Sequence, residues 1–285
     1  MIAFLGTGLL GANFVRAFRR RGEDVQVWNR SPEKARALSE VGATAFDRPA
    51  EAVRGASRVH MTLSDDAAVD AVLEQARHGF GEDMIVVDHT TTAPGPTAER
   101  VRRWTKEGIR FQHAPVFMGP SNALDGTGTM LASGDRALFD RIAPALERMT
   151  GKLVYLGEES SRAAAIKLMG NLFIIVTGAG LADFFAFGKS LGVPAADAAE
   201  MFSWFNPGNA VPWRADRMRT GDLSAPSFAL TMARKDVRLM MESAAANGVK
   251  LDLMPAIAAD MDRWIEKGHG AEDWLVIGAD GARAE

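Results

Sequence analysis

Short apolar runs separated by amphipathic stretches fill the first half of the chain. Ile2–Leu5, Val25–Trp28, Val59–Leu63, Met84–Asp88, Phe111–His113, Gly128–Ala132 and Leu153–Leu156 read as strands. Helical spacing of apolar positions lies between the early ones, over Leu9–Arg21, Pro32–Val41, Pro49–Arg54, Ala67–Ala76 and Pro96–Glu107. Alternation of strand and helix with loops of a few residues predicts a doubly wound, mainly parallel sheet covered on both faces. After about residue 160 the β-branched runs give way to Ala-, Leu- and Met-rich stretches with helical spacing. Helices are expected there over Ser161–Leu191, Ala195–Trp204, Ser227–Asn247, Met254–Lys267 and Glu272–Val276. Gly192-Val193-Pro194 and Gly268-His269-Gly270 each read as a helix stop followed by a start. Phe205–Asp222, which carries Pro207 and Pro212, reads as the one long loop of this half. The expected organisation is a Rossmann-type α/β domain over residues 1–160 and an all-α domain over 161–285, joined by a long helix.

Composition narrows the chemistry. The chain has no cysteine, which removes disulfides, thiolate metal sites and thiol catalysis and suits a reducing cytoplasm. Its five histidines show no HxH or HExxH spacing, so no metal is expected. A formal net charge of -3 offers no bulk attraction for nucleic acid or an acidic membrane. Arg19, Arg20 and Arg21 fall at the end of a predicted helix, where cations offset the negative dipole end. The opening Met1-Ile2-Ala3-Phe4-Leu5 has no basic segment before an apolar core and reads as lacking a signal peptide. The longest stretch free of charge, Leu168 to Ala182, is short of the roughly 20 apolar residues of a membrane span and contains Asn171. A buried core helix is the expectation.

The glycines of Gly6-Thr7-Gly8-Leu9-Leu10-Gly11 directly follow the first apolar run and open the first helical pattern. This is the context in which GxGxxG binds a dinucleotide. The first glycine permits a sharp turn, the second brings bare backbone to the pyrophosphate, and the third lets helix pack on strand, with the helix N-terminus facing the negative charge. A site for NAD usually places an acid at the end of the second strand. Asn29-Arg30-Ser31 stands there instead, with Lys34 one turn into the next helix. Arg30 offers a planar fork and Ser31 a hydroxyl, so NADP (NADPH) is expected. Ser31-Pro32 is equally an ordinary helix start, and both readings hold together.

In the later half, Lys167 interrupts an otherwise apolar helix, with Asn171 four residues on and so on the same face. A buried ammonium is costly, and its pKa falls toward the range useful for proton transfer. The bland alternative is a lysine snorkelling to the surface at a helix margin. Gly188-Lys189-Ser190 mimics the tail of a phosphate loop, but the position requiring the leading glycine holds Asp183, and no GxSxG elbow occurs.

These residues resemble the β-hydroxyacid dehydrogenase family, in its 3-hydroxyisobutyrate dehydrogenase branch, related to 6-phosphogluconate dehydrogenase. Four blocks carry the likeness: the glycine motif with Asn29-Arg30-Ser31; Asp88-His89-Thr90-Thr91-Thr92-Ala93-Pro94, similar to the family's D-x-S-T-x-x-P; His113-Ala114-Pro115-Val116-Phe117-Met118-Gly119, similar to D-A-P-V-S-G-G; and Ala165-Ile166-Lys167-Leu168-Met169-Gly170-Asn171, similar to G-x-x-x-K-x-x-N-N. Lys235-Asp236 and Asp273 also fall on family patterns. The resemblance implies hydride transfer between nicotinamide and a hydroxy or carbonyl substrate, with Lys167 as general acid/base and Asn171 orienting the substrate or the amine. It implies Thr91 and Leu63 near the cofactor, and Lys235 near cofactor or substrate; Lys235 reads equally as a solvated charge, and Leu63 as core. It also implies a small-molecule substrate held by Val116, Phe117, Met118 and Gly119, a cleft between two domains, and assembly into a homodimer or homotetramer. The third block departs from the family: Phe117 and Met118 stand where the family has serine and glycine, and His113 where it has aspartate. A small hydroxy acid therefore fits less well than a bulkier or less polar substrate. Imine reductases share this architecture and generally lack the lysine, and a non-catalytic NADP-binding protein would need neither Lys167 nor Asn171. The aromatic stretch Phe202-Ser203-Trp204-Phe205 suits a pocket lining or ordinary core packing.

Overall fold

The computed structural model describes residues 1–283. In chain order its first part comprises β1 (Ile2–Leu5), α1 (Leu9–Arg20), β2 (Val25–Trp28), α2 (Pro32–Arg36), β3 (Thr44–Ala45), α3 (Pro49–Val53), β4 (Arg58–Met61), α4 (Asp66–Ala76), β5 (Ile85–Asp88), α5 (Pro94–Lys106) and β6 (Arg110–His113). Then follow β7 (Val116–Phe117), α6 (Pro120–Asp125), β8 (Thr129–Ala132), α7 (Arg136–Glu147) and β9 (Lys152–Tyr155). The helical part consists of α8 (Arg162–Ser190), α9 (Ala195–Trp204), α10 (Val211–Thr220), α11 (Leu230–Ala246), α12 (Met254–Trp264) and α13 (Ala279–Arg283).

Six strands pair in the order β3-β2-β1-β4-β5-β6, all parallel. This is the doubly wound arrangement, in which the order reverses beside β1 and ligands bind at the carboxyl ends of the strands. Strand alternation divides two cores. Ile2, Phe4, Val27 and Val87 face α1, packing with its Phe14 and Phe18. Ala3, Leu5, Val59, Met61 and Val86 face the other way, with Trp104 of α5. A smaller sheet, β7-β8-β9, pairs β7 with β8 antiparallel and β8 with β9 parallel. The sequence pattern missed α6, α7 and the two-residue strands β3 and β7. α7 begins where Asp135 accepts the Leu138 amide at 2.6 Å, and Pro144 inside it masked the helical reading.

The chain divides into two compact units, residues 1–172 and 173–285, at a point inside α8. In the second unit Leu230, Val237, Met261, Trp264 and Leu275 form a core of their own. Two buried acids tie its backbone together. Asp183 accepts the amides of Asp252 and Leu253 at 2.8 and 2.9 Å, at the start of α12. Asp273 accepts the amide and hydroxyl of Ser227, both at 2.8 Å, and lies 3.5 Å from Arg217.

Two expectations need correction here. Phe205–Asp222 is not a loop: a tight turn over Pro207–Ala210 leads into α10. Both prolines sit in the first turn of their helical segments, where the missing N–H is no loss, so they start structure rather than break it. Nor is the long helix a buried core element within one chain. Met169, Leu172, Phe173, Ile174, Ile175 and Val176 are between 53% and 69% exposed. Among the described residues α8 is also the one helix long and apolar enough to cross a membrane by length and composition.

Candidate active site

The carboxyl ends of β1, β2, β4 and β5 build two adjoining cavities, and the glycines explain the first. Gly6 has φ +92°, and a Cβ there would meet Thr62 O at 2.2 Å. At Gly11 it would meet the Gly6 carbonyl at 2.0 Å, so α1 rests directly on the turn. Around Gly8, the residue before α1, a Cβ would meet nothing within 4 Å. That open space faces the free amides of a helix start with no acid in its first turn, a cradle suited to a pyrophosphate. Thr62 Oγ1 donates to the Gly6 carbonyl at 2.8 Å and holds the turn against the end of β4.

Gly6, Gly8, Asn29, Arg30, Ser31 and Lys34 all border a cavity of about 440 Å³ at the end of β2, with Leu63 and Ser64 opposite. Among the described residues, no carboxylate lines it. Asn29 works structurally: its Oδ1 accepts the Thr7 amide at 2.9 Å, and its Nδ2 donates to the Ser31 carbonyl at 3.0 Å. The strand end is thereby locked to the glycine turn, leaving Arg30 and Lys34 as the cations of that wall. A nicotinamide dinucleotide fits this donor set.

The second cavity, about 370 Å³, shares Gly8, Thr62, Leu63 and Ser64 with the first. Leu9, Leu10, Gly11, Thr91, Val116, Met118 and Lys167 also line it. Lys167 is 9% exposed, and its Nζ donates to Asn171 Oδ1 at 2.9 Å, one turn along α8. Burial pushes the lysine pKa below its ordinary value. The Phe117 ring lies over the ammonium, 4.4 Å from Nζ to the ring centroid. Gly170 makes that approach possible, since a Cβ there would meet Phe117 Cζ at 2.3 Å. Gly119 stands away from the cavity wall, immediately before α6, and donates its amide to Asn122 Oδ1 at 2.8 Å. Lys235, in the second unit, is half-exposed and pairs with Asp236 at 2.9 Å. The aromatic stretch is largely open to solvent, with Trp204 75% exposed.

Several polar groups of the site lie in the second and third motif blocks but were given no role by the sequence. Thr90 Oγ1 accepts the Leu63 amide at 3.0 Å, and the Thr90 amide donates to Asp88 Oδ1 at 2.9 Å, so the loops after β4 and β5 are stitched together. Burial alone would raise the Asp88 pKa, but His113 and Thr90 hold it below the usual carboxylate value. His113 Nδ1 lies 3.7 Å from Asp88 Oδ2, within ion-pair reach though too long for a hydrogen bond. His89 borders the second cavity and ends a buried ladder. Arg58 Nε donates to His60 Nε2 at 2.8 Å, His60 Nδ1 meets His89 Nε2 at 2.9 Å, and His89 Nδ1 meets the Ala114 carbonyl at 2.7 Å. The rule that ligands gather at the carboxyl ends of parallel strands would have pointed to Thr62, His89 and Thr90.

Comparison with known proteins agrees with the geometry. Residues 1–157 match the family model for the NAD-binding domain of 6-phosphogluconate dehydrogenase. Residues 161–277 match that for the NAD-binding region of NADP-dependent 3-hydroxyisobutyrate dehydrogenase. The chain is 27% identical over 282 residues to 3-sulfolactaldehyde reductase of Escherichia coli, covering 97% of this chain and 94% of that protein. It is 29% identical over 287 residues to glyoxylate/succinic semialdehyde reductase 1 of Arabidopsis thaliana, covering 97% and 96%. An imine reductase from Myxococcus stipitatus, solved with NADP+, superposes with a TM-score of 0.89 at 20% identity, covering 97% of this chain and 98% of that one; this likeness is one of fold. The chain belongs to the β-hydroxyacid dehydrogenase family typified by 6-phosphogluconate and 3-hydroxyisobutyrate dehydrogenases, and is a nicotinamide-dependent oxidoreductase.

Proposed function

We propose that this protein is an NADPH-dependent reductase of carbonyl compounds in which Lys167 acts as general acid, and as general base in the reverse direction. The observation that carries the reading is Lys167 itself: a buried ammonium on the wall of the second cavity, held by Asn171 and depressed in pKa. NADPH, when bound, supplies the hydride to the substrate carbon. Lys167 then gives its proton to the substrate oxygen as negative charge develops there, and Asn171 Oδ1 fixes the ammonium for that transfer. Lys167→Ala should lower turnover by more than about two orders of magnitude while the dissociation constant for NADPH, read from its fluorescence, stays within twofold. Undiminished turnover would remove the lysine from the chemistry.

Preference for NADP is supported by Arg30, Ser31 and Lys34 around the first cavity and by the lack of any acid lining it. A second copy of the chain is the proposed cover for the exposed residues of α8, since apolar patches of this size mark association surfaces. The dimer or tetramer so formed would appear in analytical ultracentrifugation. A monomer at micromolar concentration would count against it. Reduction of a C=N bond is the second reading, favoured by Phe117 and Met118. A screen of NADPH consumption over aldehydes, keto acids and cyclic imines separates the two.

A further inference from the structure

The buried ladder that ends beside the second cavity can hold its protons in one arrangement only. An arginine side chain donates and does not accept, so Arg58 Nε, 2.8 Å from His60 Nε2, requires that ring nitrogen to be a bare acceptor. A neutral imidazole carries a single N–H. The His60 proton therefore sits on Nδ1 and points at His89 Nε2, 2.9 Å away. That nitrogen must be bare in turn. The His89 proton then sits on Nδ1 and goes to the Ala114 carbonyl at 2.7 Å, an oxygen that can only accept. The two imidazole planes lie within 9° of each other. Phe4 and Phe18 pack against His60, and Phe14 against His89. Burial, aided by the charge of Arg58, keeps both rings neutral. A free histidine in water favours the proton on Nε2, so the ladder imposes the less common tautomer twice.

Resting on the carbonyl reductase reading above, we propose that Arg58 is a positioning residue of the second cavity: by donating to His60 it sets the tautomer of His89, one ring further on, and so fixes the part of the wall that His89 shares with Lys167. A locked His89 acts there in two ways. Its N–H anchors the Ala114 carbonyl, two residues before Val116 of the same wall, and the residues that follow it, Thr90 and Thr91, line the cavity. It also stays uncharged, which leaves Lys167 as the one cation among the described residues lining that cavity. Without Arg58, His60 Nε2 is free to carry the proton and the order of donors along the ladder can reverse. His89 Nδ1 would then turn a lone pair toward the Ala114 carbonyl, and the anchor is lost.

Long-range proton–nitrogen correlation spectra of isotope-labelled histidine rings test the arrangement directly. In the unaltered protein both His60 and His89 should show a protonated Nδ1 and a bare Nε2. A proton on Nε2 of either ring overturns the proposal. Arg58→Met, which keeps an unbranched stem and removes the donor, should move the His89 nitrogens toward a mixture of tautomers. Arg58→Lys, which restores a donor, should keep the parent pattern. Turnover of whichever aldehyde or ketone the parent reduces should fall about tenfold or more in Arg58→Met and recover in Arg58→Lys. A folded Arg58→Met with the parent spectrum of His89, or with parent turnover, overturns the proposal. Should Arg58→Met fail to fold, Arg58→Lys decides, and loss of the parent pattern there overturns it. If the parent reduces no carbonyl compound, carbonyl reduction is what falls, and the spectra still decide the role of Arg58.

Discussion

A methyl group at position 170 has no room beneath the Phe117 ring. In Gly170→Ala the new Cβ would stand 2.3 Å from Phe117 Cζ and 2.5 Å from Cε1, where carbon atoms settle at roughly 3.5–4 Å. The ring must retreat by roughly 1 Å or more, or swing off Lys167 altogether. Overpacking of this kind costs about 2 kcal/mol. Losing the contact between ring and ammonium adds about 1 kcal/mol, and the helix preference of alanine over glycine returns about 1 kcal/mol. The net expectation is a loss of about 2 kcal/mol, read as a fall in the urea midpoint at unchanged slope. The ring both faces the ammonium and shields it from water, and burial is what lowers the Lys167 pKa. The limb of the kcat–pH profile that reports loss of the ammonium should therefore shift from that of the parent. In a Phe117→Leu background the same glycine substitution should be nearly neutral, because the atoms it strikes are gone. If Gly170→Ala matches the parent in midpoint and pH profile, the placement of Phe117 over Lys167 is wrong.

Arg30→Ala should raise the Michaelis constant for NADPH well beyond that for NADH, and equal effects on the two would sink the assignment of Arg30 to the 2′-phosphate. Thr90→Val removes the acceptor of the Leu63 amide and leaves a buried donor unpaired, at a cost of about 1–3 kcal/mol; cofactor binding should weaken with it, and unaltered thermal stability would contradict the stitch. Acid should destabilise the first unit through the buried ladder. Burial pushes the His60 pKa well below the ordinary value and that of His89 down to about 4. The unfolded chain takes up these protons near pH 6.5 and the folded one does not, so stability is full above pH 6.5 and drains away toward pH 4. His89 alone accounts for about 3 kcal/mol over that range. A urea midpoint that stays flat between pH 7.5 and 5 would refute this.

The α/β half of the fold was open to reading because its strands carry their burial in local pattern. β1 and β5 are wholly apolar or buried runs bounded by turn residues, and the glycine motif sits where strand meets helix. Elements of two residues, such as β3 and β7, lack the length for any periodicity, and α10 was hidden because Pro207 and Pro212 carry the same letters whether they end a helix or begin one. At the site, single residues announced themselves only where chemistry is odd for its surroundings. Lys167 in an apolar helix and Arg30 after a strand stand out along the chain. Gly170 does not, because its reason lies in Phe117, 53 positions earlier and one layer away. The histidine ladder was equally silent: His60 lies on β4 and His89 just after β5, and only strand order brings their ring nitrogens to 2.9 Å.

The exposed flank of α8 bears on how such an enzyme is assayed. Met169 and Leu172 lie on the same helix as Lys167 and Asn171. A cover over that flank would restrain rotation of this part of the helix about its own axis, and with it the direction in which the ammonium points. Proton transfer is sensitive to such aim. With the proposed second copy as that cover, specific activity should depend on protein concentration, falling on dilution below the point at which the flank is covered, with a lag in progress curves as cover re-forms.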